Sequence, residues 1–198
     1  AEDAARKSVA LAPLDPLPYD VLGWIYLDMG QTDRATAAFR EALDLEPGMV
    51  TSQSGMGSAL FVEGRFEESI NLLEQALAED PEYLTARLQL GWCRFHVGDL
   101  DGAEVDFLQV LFGEVEELRG PSAFGLGRLY LQRGNLPLAI EHLRRCAGDW
   151  AQARWLLGEA LFQAGESAEA EVELQRALEL DESLHEEIEV RLAMCAMR

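Results

Sequence analysis

Asp20 to Pro47 reads DVLGWIYLDMGQTDRATAAFREALDLEP. It carries Leu22, Gly23, Tyr26, Gly30, Ala35, Phe39, Ala42, Leu43 and Pro47. A shift of 34 residues brings the same offsets to Met56, Gly57, Leu60, Gly64, Ser69, Leu73, Ala76, Leu77 and Pro81. A second shift reaches Leu90, Gly91, Arg94, Gly98, Ala103, Phe107, Val110 and Leu111. Within each copy the apolar residues recur at helical spacing. A fixed period of this length marks stacked two-helix units, each burying its apolar face on its neighbours.

Working outward, complete units are expected at 16–49, 50–83, 84–119, 120–150 and 151–184, each with a helix A and a helix B. Pro13 lies 34 residues before Pro47, and Ala1 and Ala5 fall with Ala35 and Phe39. Residues 1–15 therefore read as helix B of an earlier unit, and the chain as a piece of a longer protein. Residues 185–198 read as a last amphipathic helix with Ile188, Leu192 and Cys195 on one face. It is either a cap or helix A of a sixth unit.

Pro18 suits a first helical turn. Gly30 and its equivalents suit left-handed helix ends, and Thr32 or Asp33 suits the cap of the next helix. The third unit is two residues too long, and Gly113 to Arg119 is expected to extend its helix B. Gly120-Pro121-Ser122 is expected to open the fourth unit, which is three residues short, so its helix B should stop near Ala147-Gly148.

The pattern resembles the tetratricopeptide repeat over nearly the whole chain. That resemblance implies an all-α fold, a right-handed superhelical solenoid of antiparallel helix pairs, and a protein-binding scaffold. In that family helix A lines a concave groove that takes peptides. Carried over by position, the groove comprises Asp20, Trp24, Leu27 and Asp28, then Ser54, Ser58, Phe61 and Val62. It continues with Leu88, Trp92, Phe95 and His96, then Phe124, Arg128, Leu131 and Gln132, then Trp155, Glu159, Phe162 and Gln163. The co-chaperone members clamp a C-terminal carboxylate with Lys and Asn. Here Asp20, Trp24, Ser54 and Ser58 stand in those places, and Asp20 would repel a carboxylate. Trp24 and Trp92 share one repeat position and offer large apolar area with few rotors, as binding hot spots do.

The formal charge of −20 excludes nucleic acid, whose phosphates need Lys and Arg, and disfavours anionic membranes. It fits a basic partner as well as simple solubility. No apolar run is long enough for a membrane span. Lys7 is the only lysine, a bias that points to a GC-rich bacterial genome. Cys93, Cys146 and Cys195 lie in separate units without CxxC spacing, so neither zinc nor a disulfide framework is expected.

Gly55-Met56-Gly57 and Gly125-Leu126-Gly127 lack the third glycine and the preceding strand of a dinucleotide site. Their first glycines leave room that a ligand backbone could use. Asp99-Leu100-Asp101-Gly102 lacks the ligand spacing of a calcium loop. His96, His142 and His185 are scattered over three units. No catalytic residue, metal site or cofactor is read, so the chain is expected not to be an enzyme. The expected partner is another protein, presenting a peptide or amphipathic helix of basic or apolar character, in the cytoplasm. A substrate-recruiting module of a larger enzyme and a self-associating platform are the alternatives.

Overall fold

A computed structural model describes residues 1–195. Among them lie α1 (Glu2–Leu11), α2 (Pro16–Asp28), α3 (Thr32–Leu45), α4 (Val50–Val62), α5 (Phe66–Glu79), α6 (Leu84–Val97) and α7 (Leu100–Leu111). There follow α8 (Glu116–Gln132), α9 (Leu136–Cys146), α10 (Ala151–Ala164), α11 (Ser167–Leu180), a single 3-10 turn (Glu182–Leu184) and α12 (His185–Cys195). No strand occurs among the described residues. The chain forms two compact units that meet inside α7, one up to Asp106 and one from Phe107 on.

In the first unit α2 packs on α3, and α4 on α5; each A helix also touches the next, α2 on α4 and α4 on α6. The second repeats this with α8 on α9, α10 on α11, and α10 against both α8 and α12. The architecture is a solenoid of helix pairs.

One contact type recurs through it. Phe39 of α3 is fully buried. Its ring fills the space that a Cβ on Gly23 or on Gly55 would need. Leu73 lies 2.9 Å from a Cβ built on Gly57. Phe107, Leu143 and Leu174 lie 2.6 Å from those built on Gly125, Gly127 and Gly158. Gly55 and Gly125 therefore face a helix B ring of the preceding pair, and the expectation that they clear space for a ligand is corrected. Sequence carries the reason. The residues corresponding to Gly55 are Gln89 after Leu73, Leu156 after Leu143 and Val21 after Ala5. Glycine stands there only where the preceding helix B brings phenylalanine.

Helix A ends as expected. Gly30, Gly64, Gly98, Gly134 and Gly165 have φ between +69° and +88°. The next N–H bonds the carbonyl five residues back, as in Gln31 to Tyr26 at 2.8 Å. Neither Thr32 nor Asp33 caps helix B. Gln31 holds that place without a side-chain bond, because the residue that closes the glycine turn is already the cap. Helix α2 begins at Pro16, where Asp15 accepts from the Leu17 N–H at 3.1 Å.

The turns from B to A share a device that the pattern did not reveal. A side chain near the start of each helix A donates to the carbonyl six residues earlier. Tyr19 bonds Pro13 at 3.3 Å, Gln53 bonds Pro47 at 2.9 Å, and Arg87 bonds Pro81 at 2.7 Å. Arg119 bonds Gly113 at 3.2 Å, and Arg154 bonds Gly148 at 2.7 Å.

The irregular junction resolves differently from expectation. Residues 113–119 do not lengthen helix B. Helix α7 stops at Leu111, and Glu116 to Arg119 join the following helix A, with Pro121 inside it. Glu116 and Glu117 suit the positive end of that helix. Gly120 has no Cβ to clash with the Pro121 ring, so the residue before proline stays helical. The shortened α9 ends at Cys146 as expected.

Asp106 is only 2% exposed, with Arg94 at 2.7 Å and Arg87 at 3.7 Å. Burial outweighs both cations and pushes its carboxyl up to about 6. A folded value above the unfolded one means that protonated Asp106 favours folding. That contribution is full below the unfolded value and is lost as pH rises through about 6.

Two outcomes are expected. Gly55→Val should lower stability by about 2 kcal/mol through overpacking. Adding Phe39→Leu should recover part of the loss, giving non-additive midpoints in urea melts. Between about pH 5 and pH 7, the parent should lose on the order of 1 kcal/mol relative to Asp106→Asn. Urea melts of both proteins at the two pH values measure this.

Candidate functional site

The A helices present the residues expected in a groove, and each unit treats them differently. In the first unit, Asp20 is buried rather than open. Its Oδ1 accepts from Ser52 Oγ on α4 at 2.7 Å, an interhelix tie. Burial raises its carboxyl above the ordinary value, against the hydrogen bond from Ser52. Ser58 is also buried, with Oγ 2.9 Å from the Ser54 carbonyl and bonded to Gln89. Leu88 is buried, and Leu27 packs on the core cluster of α2 and α3.

The aromatic residues remain partly open. Trp24 is half-buried, its ring edge-on to Phe39 at 5.5 Å. Packing on Phe39 therefore uses one side of an indole that the repeat pattern left unexplained. Phe61, Phe95 and His96 come together, with His96 5.4 Å from Phe61 and 5.7 Å from Phe95. Trp92 adds an edge contact to Phe95 at 5.9 Å. Phe66, which was not among the expected site residues, stacks on His96 at 4.8 Å and extends this cluster.

In the second unit the A helices are more closed. Phe124 is buried, its ring 4.3 Å from Trp150. Trp150 was not among the expected site residues. A signal existed: Met49, Tyr83 and Trp150 each stand immediately before a helix A, at its cap. Leu131 is half-buried, and burial lowers the half-buried Arg128 below the ordinary arginine value. Trp155 is half-buried and its indole nitrogen is buried without a partner.

Glu159 and Phe162 are taken by the chain itself. Arg191 of α12 grips Glu159 with two bonds of 2.5 and 2.6 Å. The Arg191 guanidinium carbon also lies 4.6 Å from the centre of the Phe162 ring. Ile188 is fully buried and Cys195 nearly so, and α12 touches α10 as an A helix touches its neighbour. Residues 196–198 of the expected last helix lie outside the described residues. Among the described residues no group of His, Cys, Asp and Glu could hold a metal. No helix among them is long and apolar enough to cross a membrane.

A family profile described as "Tetratricopeptide repeat" matches residues 21–70 and 124–184, and a second profile with that description matches 60–105. The chain is 36% identical over 105 residues to Protein CTR9 homolog of Arabidopsis thaliana, covering 52% of this chain and 10% of that protein. It is 26% identical over 183 residues to ALBINO3-like protein 2, chloroplastic, of the same plant, covering 85% and 29%. The chain thus spans a small part of both. Among solved structures it is similar to PilW, described as a widely conserved type IV pilus biogenesis factor. The TM-score is 0.81 at 22% identity, over 96% of this chain and 88% of that one. That likeness supports the fold alone.

Arg191→Met should free α12 first, because Glu159 would lose its charged partner. Its amides should exchange at least about fivefold faster, a loss of ~1 kcal/mol or more, while those of α10 hold. Unchanged exchange in α12 would assign its docking to Ile188 and Cys195 instead.

Proposed function

We propose that this chain, which belongs to the tetratricopeptide repeat family, binds a segment of another protein along the exposed faces of its A helices. The observation that carries this is the aromatic series of the first unit. Trp24, Phe61, Trp92 and Phe95 stay half-open although the helices beneath them are fully packed. Large rings left partly in water lose hydration cost when a partner covers them, and aromatic residues dominate interface energetics for that reason. An amphipathic helix or an extended apolar segment supplies the matching surface. The second unit by itself offers less, with Arg128, Leu131 and Trp155 half-buried on its A helices and Phe124 buried. Glu159 and Phe162 leave the proposed site, because Arg191 covers them. Recognition here is by shape and apolar contact, and no step of chemistry is assigned to the chain.

A second reading has one observation in its favour. The chain corresponds to 10% and 29% of the two curated relatives. This suits a recruiting module that holds a partner beside the remainder of a larger protein.

The test is a pull-down from a lysate of the source organism, with crosslinking from Trp92 or Arg128, followed by calorimetry on the captured partner. Trp24→Ala with Trp92→Ala should weaken that binding by more than ~2 kcal/mol while far-ultraviolet circular dichroism stays nearly unchanged. Unchanged affinity in a double variant of lowered thermal stability would assign both rings to packing.

A further inference from the structure

The α12 contact shows, within this molecule, how an A helix of this solenoid receives an arginine. Glu159 and Phe162 are three residues apart on α10 and so share a face. The carboxylate takes two guanidinium N–H groups and the ring takes the guanidinium face. This combines a bidentate ion pair with a cation–π contact.

Helix α2 carries the same two components four residues apart, Trp24 and Asp28, again on one face. Trp24 is half-buried and Asp28 is exposed. Trp24 makes an edge contact on Phe39 and stays partly open, while Asp20, one turn before it, is buried against Ser52 and leaves Asp28 as the exposed carboxylate. Among the described residues, Asp28 has no ion pair or hydrogen bond from any side chain. No Lys or Arg occupies any of the expected groove positions of α2, α4 or α6. Three arginines elsewhere in this unit are already committed, whereas Arg40 of α3 is exposed. Arg34 lies over Tyr26, Arg94 holds Asp106 and Glu74, and Arg65 pairs with Glu63 and Glu68.

We infer that Trp24 and Asp28 form an arginine-receiving subsite, so that the bound segment belongs to a basic, apolar partner and supplies one arginine here. The inference rests on the binding face proposed above and names the partner chemistry at one point of it. The guanidinium lies over the indole and its N–H groups reach the Asp28 carboxylate. The exposed Asp28 carboxylate rejects a segment with Asp or Glu at that place. Lysine, a point charge without the planar fork, fits less well.

The probe is the peptide acetyl-Leu-Arg-Leu-amide, titrated into the 198-residue protein while the Trp24 indole N–H is followed by NMR, its signal assigned with Trp24→Phe. The same peptide with citrulline, the neutral shape mimic of arginine, is the control. The expected result is a saturable shift at Trp24, at least fivefold weaker for citrulline, with Asp28→Asn removing the difference between the peptides. A lysine peptide should fall between them. Equal binding of the arginine and citrulline peptides would overturn the inference and leave the binding face intact. No shift at Trp24 with either peptide would also overturn it, and the calorimetry with the double tryptophan variant then decides the binding face separately.

Discussion

The structure depends on large helix B side chains seated where helix A has no Cβ. Phe39 stands between Gly23 of its own pair and Gly55 of the next, so one ring joins two repeats. Leucine does the same with fewer glycines at Gly57, Gly127 and Gly158. Close approach of two helices needs a small residue on one and a filling side chain on the other, and interiors tolerate neither gap nor overlap. This accounts for both the regular glycine of each repeat and the additional one that follows a phenylalanine.

Stacking brings its own constraints at the turns. The chain leaves helix A through a left-handed glycine and enters the next helix A through a side-chain bond to a carbonyl six residues back. Tyrosine, glutamine and arginine all serve, since the turn asks only for a donor of sufficient reach. Where the sequence runs two residues long, Arg119 makes the bond from a position before the regular one, and helix α8 grows at its start. The insertion is absorbed by the helix A that follows, since helix B already ends at Leu111.

The same packing decides what is left for a partner. Residues on the A-helix faces are either consumed between neighbouring helices, as Asp20 and Ser58 are, or remain half-open, as Trp24, Phe61 and Trp92 are. A buried carboxylate tied to a serine serves rigidity. An exposed carboxylate beside a half-open indole is free to recognise charge. Arg191 shows the cost of proximity at the other end, where the chain's own helix occupies the face that Glu159 and Phe162 would otherwise present.

The repeat, the helix pairs, the glycine turns and the membership of Gly23, Ala35 and Phe39 in the core were legible in the sequence by itself. These rest on interactions that recur at a fixed offset, and periodicity reports such interactions directly. The glycine that follows each helix B phenylalanine was equally present in the sequence, but its meaning required seeing the ring between two helices. Only the tertiary structure decided which face residues are closed. Asp20 meets Ser52, Phe66 meets His96 and Glu159 meets Arg191 at separations of about one repeat, and each contact occurs once. A single contact between distant residues leaves no period, so its existence depends on side-chain reach across packed helices and not on the pattern that built them.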